Sequence, residues 1–296
     1  MSTYSRREFI KTGVAAGMAA GALAGAGSLA EAAAGQAATS WVTLGKSGIE
    51  VTRLALGTGS SNGIEQQRLG QEGFTRLVRY AYDRGIRFFE TAEAYGESQQ
   101  MLGKALQGIP REDYKLMSKI TTGSGDPTAR LDRMLRDSNT EYFDIMLLHW
   151  QHTATWPEDT KRYQEALLKA QAQKKILSHG ASVHGLPALD QVAGDKWMQI
   201  AMIRMNHKGV RMDAAVFGSG ALGDVPAVVK QVQLAKAAGL GVISMKLAGA
   251  GSFDHQDRRK AMRFAFRHAG VDAVTVGYKS TAEVDEAIEN VNLAFA

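Results

Sequence analysis

The sequence predicts an α/β fold, a (β/α)8 barrel with an N-terminal β-hairpin, behind a cleavable export segment. Three observations carry this. Strand-length apolar runs alternate with helix-period segments eight times between Leu54 and Val291. The apolar runs are continuous rather than alternating, as expected of parallel strands buried on both faces. Removing residues 1–34 leaves 296 − 34 = 262 residues, close to the roughly 250 typical of such a barrel.

The export segment comes first. Ser5-Arg6-Arg7-Glu8-Phe9-Ile10-Lys11 precedes an Ala/Gly-rich run from Gly13 to Ala30, and small-residue sites follow at Ala30-Glu31-Ala32 and Ala32-Ala33-Ala34. A paired arginine, an apolar run and an A-x-A site in that order resemble a twin-arginine signal, which directs folded proteins out of the cytoplasm. The expected division is signal over 1–34 and barrel over 35–296, with a periplasmic or otherwise exported protein and the twin-arginine machinery as a partner. The run is a poor anchor, because a stable span needs about 20 strongly apolar residues.

Trp41–Thr52 contains two β-like runs around Gly45-Lys46-Ser47-Gly48 and is expected to form a hairpin. The barrel strands are expected at Leu54–Gly57, Phe88–Phe89, Lys115–Ile120, Phe143–His149, Ile176–Val183, Met198–Met202, Gly241–Met245 and Ala273–Gly277. The helices are expected at Arg68–Arg84, Ser98–Leu106, Thr128–Asp137, Lys161–Gln173, Leu186–Gln191, Val225–Ala238, Gln256–His268 and Thr281–Val291. A doubly wound open sheet is the alternative, but Gly57-Thr58-Gly59-Ser60-Ser61-Asn62-Gly63 lacks the G-x-G-x-x-G spacing of its first turn. The chain has no cysteine, which excludes disulfides, thiolate metal sites and a cysteine nucleophile. The net charge of +5 is spread without a block that would bind nucleic acid; Arg258-Arg259-Lys260 is expected on a solvated helix face.

Active sites of this architecture lie at the C-terminal strand ends. Strand two ends at Glu90, with Glu93 and Tyr95 in the following loop; Lys119 closes strand three and His149 strand four. A lysine beside a tyrosine favours the phenolate, so the Tyr95 pKa is expected to fall. A carboxylate keeps the lysine charged, and a histidine orients a carbonyl. This is a proton relay without an electron source, so a cofactor must carry the redox step. No third ligand accompanies His149 and His152, and no metal site is expected. Glu93 reads as a surface loop acid.

These residues lie within LGKSGIEVTRLALGTG, GIRFFETAEAYGESQQMLGKAL, KLMSKI, LDRMLRDSNTEYFDIMLLHW, ILSHGASVHG, GVISMKLAGAG and GVDAVTVGYKSTAEVDEAI. Together these stretches resemble the aldo-keto reductase superfamily over nearly the whole mature chain. The resemblance implies Tyr95 as general acid, Lys119 as its pKa partner and His149 as the substrate-orienting group. The family acid is an aspartate, which makes Glu90 a longer-armed replacement. It implies NADPH, with NADH as the other possibility, and a small-molecule aldehyde, ketone or sugar carbonyl as substrate.

The cofactor contacts implied are Gly57 and Thr58 after strand one, Ser182 after strand five, Met245 and Lys246 after strand seven, and Gly277, Lys279 and Ser280 at the last strand end. Several family features are replaced. His184 stands near the family's asparagine, and the end of strand six, Met202-Ile203-Arg204-Met205-Asn206, lacks its glutamine. Met245-Lys246 takes the place of a stacking aromatic; Asn206 reads as a structural turn residue. Ser280 with Glu283 also forms an S-x-x-E helix cap. Glu90 and these replacements motivate one alternative, a non-catalytic ligand-binding protein on a reductase scaffold; a second, a cofactor-retaining epimerase, uses the same relay with the hydride returned to the same molecule. The sequence ends soon after the last helix, so residues 151–159, with Trp150 and Trp156, are expected to wall the substrate pocket in place of a C-terminal tail. Trp150 reads equally as a stacking platform or as core.

Overall fold

A computed structural model describes residues 37–216 and 218–296. The expected signal over 1–34 lies outside the described residues. Strands β1 (Trp41–Thr43) and β2 (Glu50–Thr52) pair antiparallel, with Val42 opposite Val51. This is the expected hairpin. Leu44 and Val51 are fully buried in the same cluster as the barrel interior, and Gly45 bridges to Leu240, just before a barrel strand begins. A Cβ on Gly45 would lie 2.4 Å from the Gly239 carbonyl oxygen, so only glycine permits this approach. The hairpin therefore plugs the N-terminal end of the barrel and leaves the other end for a site.

The barrel strands are β3 (Leu54–Gly57), β4 (Phe88–Glu90), β5 (Lys115–Thr121), β6 (Phe143–Gln151), β7 (Ile176–Val183), β8 (Ile200–Arg204), β9 (Gly241–Met245) and β10 (Ala273–Gly277). All pair parallel with their neighbours, and β10 closes onto β3. Two apolar layers explain the continuous strand sequences. Ala55, Phe88, Met117, Ile145, Leu147, Ile200, Met202 and Ile243 fill the interior. Leu54, Leu56, Phe89, Leu116, Met146 and Leu148 face the helices. The helix Gly70–Asp83 shows the matching period: Phe74, Leu77, Val78 and Ala81 are its buried stripe. Aspartates 126, 224 and 254 and Ser280 cap helix N-termini by accepting backbone N–H bonds. Among the described residues no helix is long and apolar enough to cross a membrane.

The strand expected at Met198–Met202 runs instead over Ile200–Arg204. Asp195 is the cause: its side chain accepts the Trp197 N–H at 2.7 Å and its carbonyl the Met198 N–H at 3.3 Å, so a turn holds this stretch. The helix expected over Gln256–His268 is α-helical only over His255–Arg263 and continues as a π-helical stretch, Phe264–Ala269. The last helix extends to Phe295. The pairing register of β6 with β7 shifts between Leu148 and Gln151, where Trp150 has φ +62°.

Candidate active site

Glu90, Lys119, Tyr95 and His149 meet at the C-terminal mouth of the barrel. The parallel register does this: Glu90 ends β4, opposite Gly57 on one side and Met117 on the other, and Lys119 lies two residues further along β5. Lys119 is fully buried and pairs with Glu90 Oε1; its Nζ also donates to the Thr91 carbonyl at 2.9 Å. Glu90 Oε2 accepts from the Thr275 hydroxyl at 3.2 Å. The longer arm of glutamate fits because position 57 has no side chain. A Cβ there would meet Glu90 Oε2 at 2.8 Å and Thr275 Oγ1 at 2.6 Å. Lys119 Nζ lies 4.6 Å from the centre of the Tyr95 ring, and the His149 ring stands edge-on to the same ring at 5.5 Å.

The electrostatics correct one expectation. Burial raises the Tyr95 pKa, Lys119 lowers it and Glu90 raises it; the net result is a raised pKa. The lysine's charge is spent largely on Glu90, so it does not overcome desolvation. Tyr95 therefore holds its proton firmly. For Lys119, burial disfavours the ammonium, but Glu90 and Tyr95 more than offset it and the pKa rises. Burial, with Lys119 and Lys246 nearby, pushes His149 down to about 3. It is neutral, and its ring nitrogens have no hydrogen-bond partner among the described residues.

A cavity of about 1230 Å³ runs from Tyr95 and Glu90 across the mouth to Tyr278, Lys279, Arg258 and Glu286. Of the expected cofactor contacts, Gly57, Met245, Lys246, Gly277 and Lys279 line it. The other three are committed to the protein. Thr58 is fully buried, its N–H donating to the Glu90 carbonyl and its hydroxyl to Thr91 Oγ1, each at 3.0 Å. Ser182 is buried against His184. Ser280 caps the last helix by accepting the Glu283 N–H, while Glu283 accepts the Lys279 N–H.

The pocket wall differs from expectation. Residues 210–214, 216 and 218–222, not 151–159, line the cavity. Trp156 is core, with its indole N–H donated to the Ala188 carbonyl at 3.1 Å. Trp150 is 48% exposed and packs against His152, so it is not core. Glu93 is not a free surface acid: Arg130 and Arg133 pair with it and the Thr121 N–H donates to it, which lowers its pKa despite partial burial. Arg258 is held bidentate by Glu286 at the cavity's far end rather than on a solvated face. Asn206 bonds Val210, Lys208 and Lys246 main-chain groups, as a turn residue should.

Sequence reasoning missed Thr275, Gly59, Arg204 and Asp213. A Cβ on Gly59 would lie 2.6 Å from Tyr95 Cζ. Arg204 lines the cavity and contacts His184, with Asp213 beside it. An arginine closing a barrel strand was the available signal. No group of three or more ionisable side chains suited to a metal occurs among the described residues.

A family model described as Aldo/keto reductase family matches residues 53–291. Among curated proteins, the aldo-keto reductase YhdN of Bacillus subtilis is 24% identical over 51% of this chain and 49% of its own length. The methylglyoxal reductase YeaE of Escherichia coli is 34% identical over 36% of this chain and 37% of its own. The chain spans about half or less of the length of these relatives. Among solved structures, an aldo-keto reductase of Bacillus halodurans in its holo form superposes with a TM-score of 0.68 at 18% identity, covering 85% of this chain and 90% of that one. One from Klebsiella pneumoniae, solved with NADP and acetate, gives 0.60 at 20% identity, covering 83% and 88%.

Proposed function

The chain belongs to the aldo/keto reductase family, and on that premise we propose that it reduces the carbonyl of a small aldehyde, ketone or sugar with NADPH. The buried contact of Glu90 with Lys119, beneath Tyr95 and beside His149, carries this reading. It also removes one of the two motives for a non-catalytic scaffold, the longer arm of Glu90; the replaced carboxamide contacts remain the other. The Klebsiella relative was solved with NADP, and this chain offers a suitable site for that cofactor. The cavity is long, its near end holds Tyr95, and its far end reaches the capped N-terminus of the last helix with Lys279 beside it.

The bound cofactor supplies a hydride to the carbonyl carbon. Tyr95 donates its phenolic proton to the carbonyl oxygen. Its raised pKa keeps that proton in place until negative charge builds on the oxygen. Lys119 stabilises the phenolate left behind, and Glu90 with the Thr91 carbonyl fixes Lys119 in position. His149, neutral, directs an N–H at the same oxygen and orients it. Replacing Tyr95 with phenylalanine tests this: NADPH binding is expected to persist while turnover collapses.

Residues 1–34 we assign to a twin-arginine signal, supported by the order of Arg6-Arg7, the apolar run and the A-x-A sites. Folded export allows the protein to load its cofactor before crossing. Replacing Arg6 and Arg7 with lysines is expected to leave the protein cytoplasmic by fractionation; unchanged export would remove the assignment.

A further inference from the structure

Two loops at the catalytic end of the barrel bring unpaired cations together. Lys246 follows β9, Arg211 lies in the wall after β8, and both line the cavity. Asn206, fully buried, staples the two loops. Its Nδ2 donates to the Lys246 carbonyl at 3.2 Å and to the Val210 carbonyl, one residue before Arg211, at 2.7 Å. Lys246 and Arg211 are both held in the left-handed region, at φ +67° and +55°, a conformation that side chains seldom adopt. Neither the Lys246 ammonium nor the Arg211 guanidinium has a hydrogen-bond or ion-pair partner among the described residues. The carboxylates beside them are engaged. Glu90 pairs with Lys119, and Asp213 lies 3.8 Å from Arg204 Nε while accepting the Gly185 N–H at 2.7 Å. His149 and His184 are both held neutral, chiefly by burial.

We infer that Lys246 and Arg211 form a subsite for an anionic group, a carboxylate or a phosphate, carried by the carbonyl substrate, so that acidic aldehydes, ketones or sugars are the preferred class. The inference rests on the carbonyl-reduction reading and narrows its substrate. The position of Lys246 argues for the substrate rather than the cofactor phosphates. Its charge acts on His149 and on the Glu90–Lys119 pair, so it stands beside the groups that meet the carbonyl. Lys279 and the N-terminus of the last helix lie at the far end of the cavity instead. Burial lowers the Lys246 pKa, and Arg204, Lys119 and Arg211 add to this against Glu90. An arriving anion relieves that penalty. Clustered cations in a cleft also concentrate anions ahead of binding. Arg211 is exposed, so it meets the substrate from the solvent side, where salt screens it. A neutral aldehyde or sugar would leave both charges without a counter-ion.

The test compares 4-carboxybenzaldehyde with its methyl ester, aldehydes that differ by a single charge, at saturating NADPH. The NADPH dissociation constant and the thermal midpoint are taken on every protein. Wild type is expected to favour the carboxylate by about tenfold in kcat/KM, through KM, the scale of one charge-assisted hydrogen bond. That preference is expected to shrink as salt is added. Lys246→Gln and Arg211→Gln are each expected to cut the preference several-fold, and Lys246→Arg to retain it. Should Lys246→Gln not fold, Arg211→Gln, at an exposed side chain, decides. A wild type without the preference overturns the inference. So do variants that weaken NADPH and slow both aldehydes alike, which would give the cations to the cofactor phosphates. If wild type reduces no carbonyl, the reduction reading fails, and binding of benzoate against benzamide to the full chain still judges the subsite. Tighter benzoate, with that margin lost in Arg211→Gln, upholds it; equal binding overturns it.

Discussion

Tyr95 sets how the site responds to pH. Its raised pKa places the loss of the acid form above the ordinary phenol value of about 10. Reduction needs protonated Tyr95 and neutral His149, and His149 stays neutral down to about 3. The rate of the reductive step is therefore expected to be flat across neutral pH and to fall only in strong alkali. Alcohol oxidation needs the phenolate and should rise with pH over the same alkaline range. A reductive profile with an inflection near the ordinary histidine pKa would contradict the neutral His149. At this scale the sequence revealed which four side chains converge, because each sits near a strand end or, for Tyr95, in the loop that follows one. It did not reveal the sign of the Tyr95 shift. That sign depends on how deeply the ring is buried and on Glu90 drawing off the charge of Lys119, and neither is a property of spacing.

Among the elements, the turn after β3 matters more than its glycines suggest as sequence. Gly57 makes room for the Glu90 arm and Gly59 for the Tyr95 ring. Gly59→Ala places a methyl carbon 2.6 Å from Tyr95 Cζ, so the ring must move. Turnover is expected to fall by about a hundredfold, the scale of a misplaced reacting group, with a small change in thermal midpoint; full activity would show that Tyr95 tolerates displacement. Strands β3, β7, β9 and β10 matched their expected bounds because an apolar run buried on both faces announces itself. β8 did not, since the apolar Met198 sits in an Asp195 turn that mimics a strand start. The wall over residues 210–214, 216 and 218–222 has no period to read, so nothing in the spacing pointed to Asp213 beside Arg204. Trp156 looked like a pocket residue for the opposite reason: an aromatic after a strand end resembles a platform until its indole N–H is found bonded inside the core.

On the scale of the molecule, closure of eight parallel strands and a hairpin plug at one end leave a single mouth where Glu90, Lys119, Tyr95 and His149 share one volume. This mouth is proposed to transfer a proton to a carbonyl oxygen, with a nicotinamide cofactor providing the hydride. The direct measurement is consumption of NADPH by wild type and Tyr95→Phe against a panel of aldehydes, ketones and sugars, with the NADPH dissociation constant taken on both proteins. Wild type is expected to consume NADPH in step with alcohol formed, and Tyr95→Phe to bind NADPH equally well while turning over slower by about 10²–10⁴. Equal turnover in the two proteins, or wild type inert toward every carbonyl while binding NADPH, would contradict it.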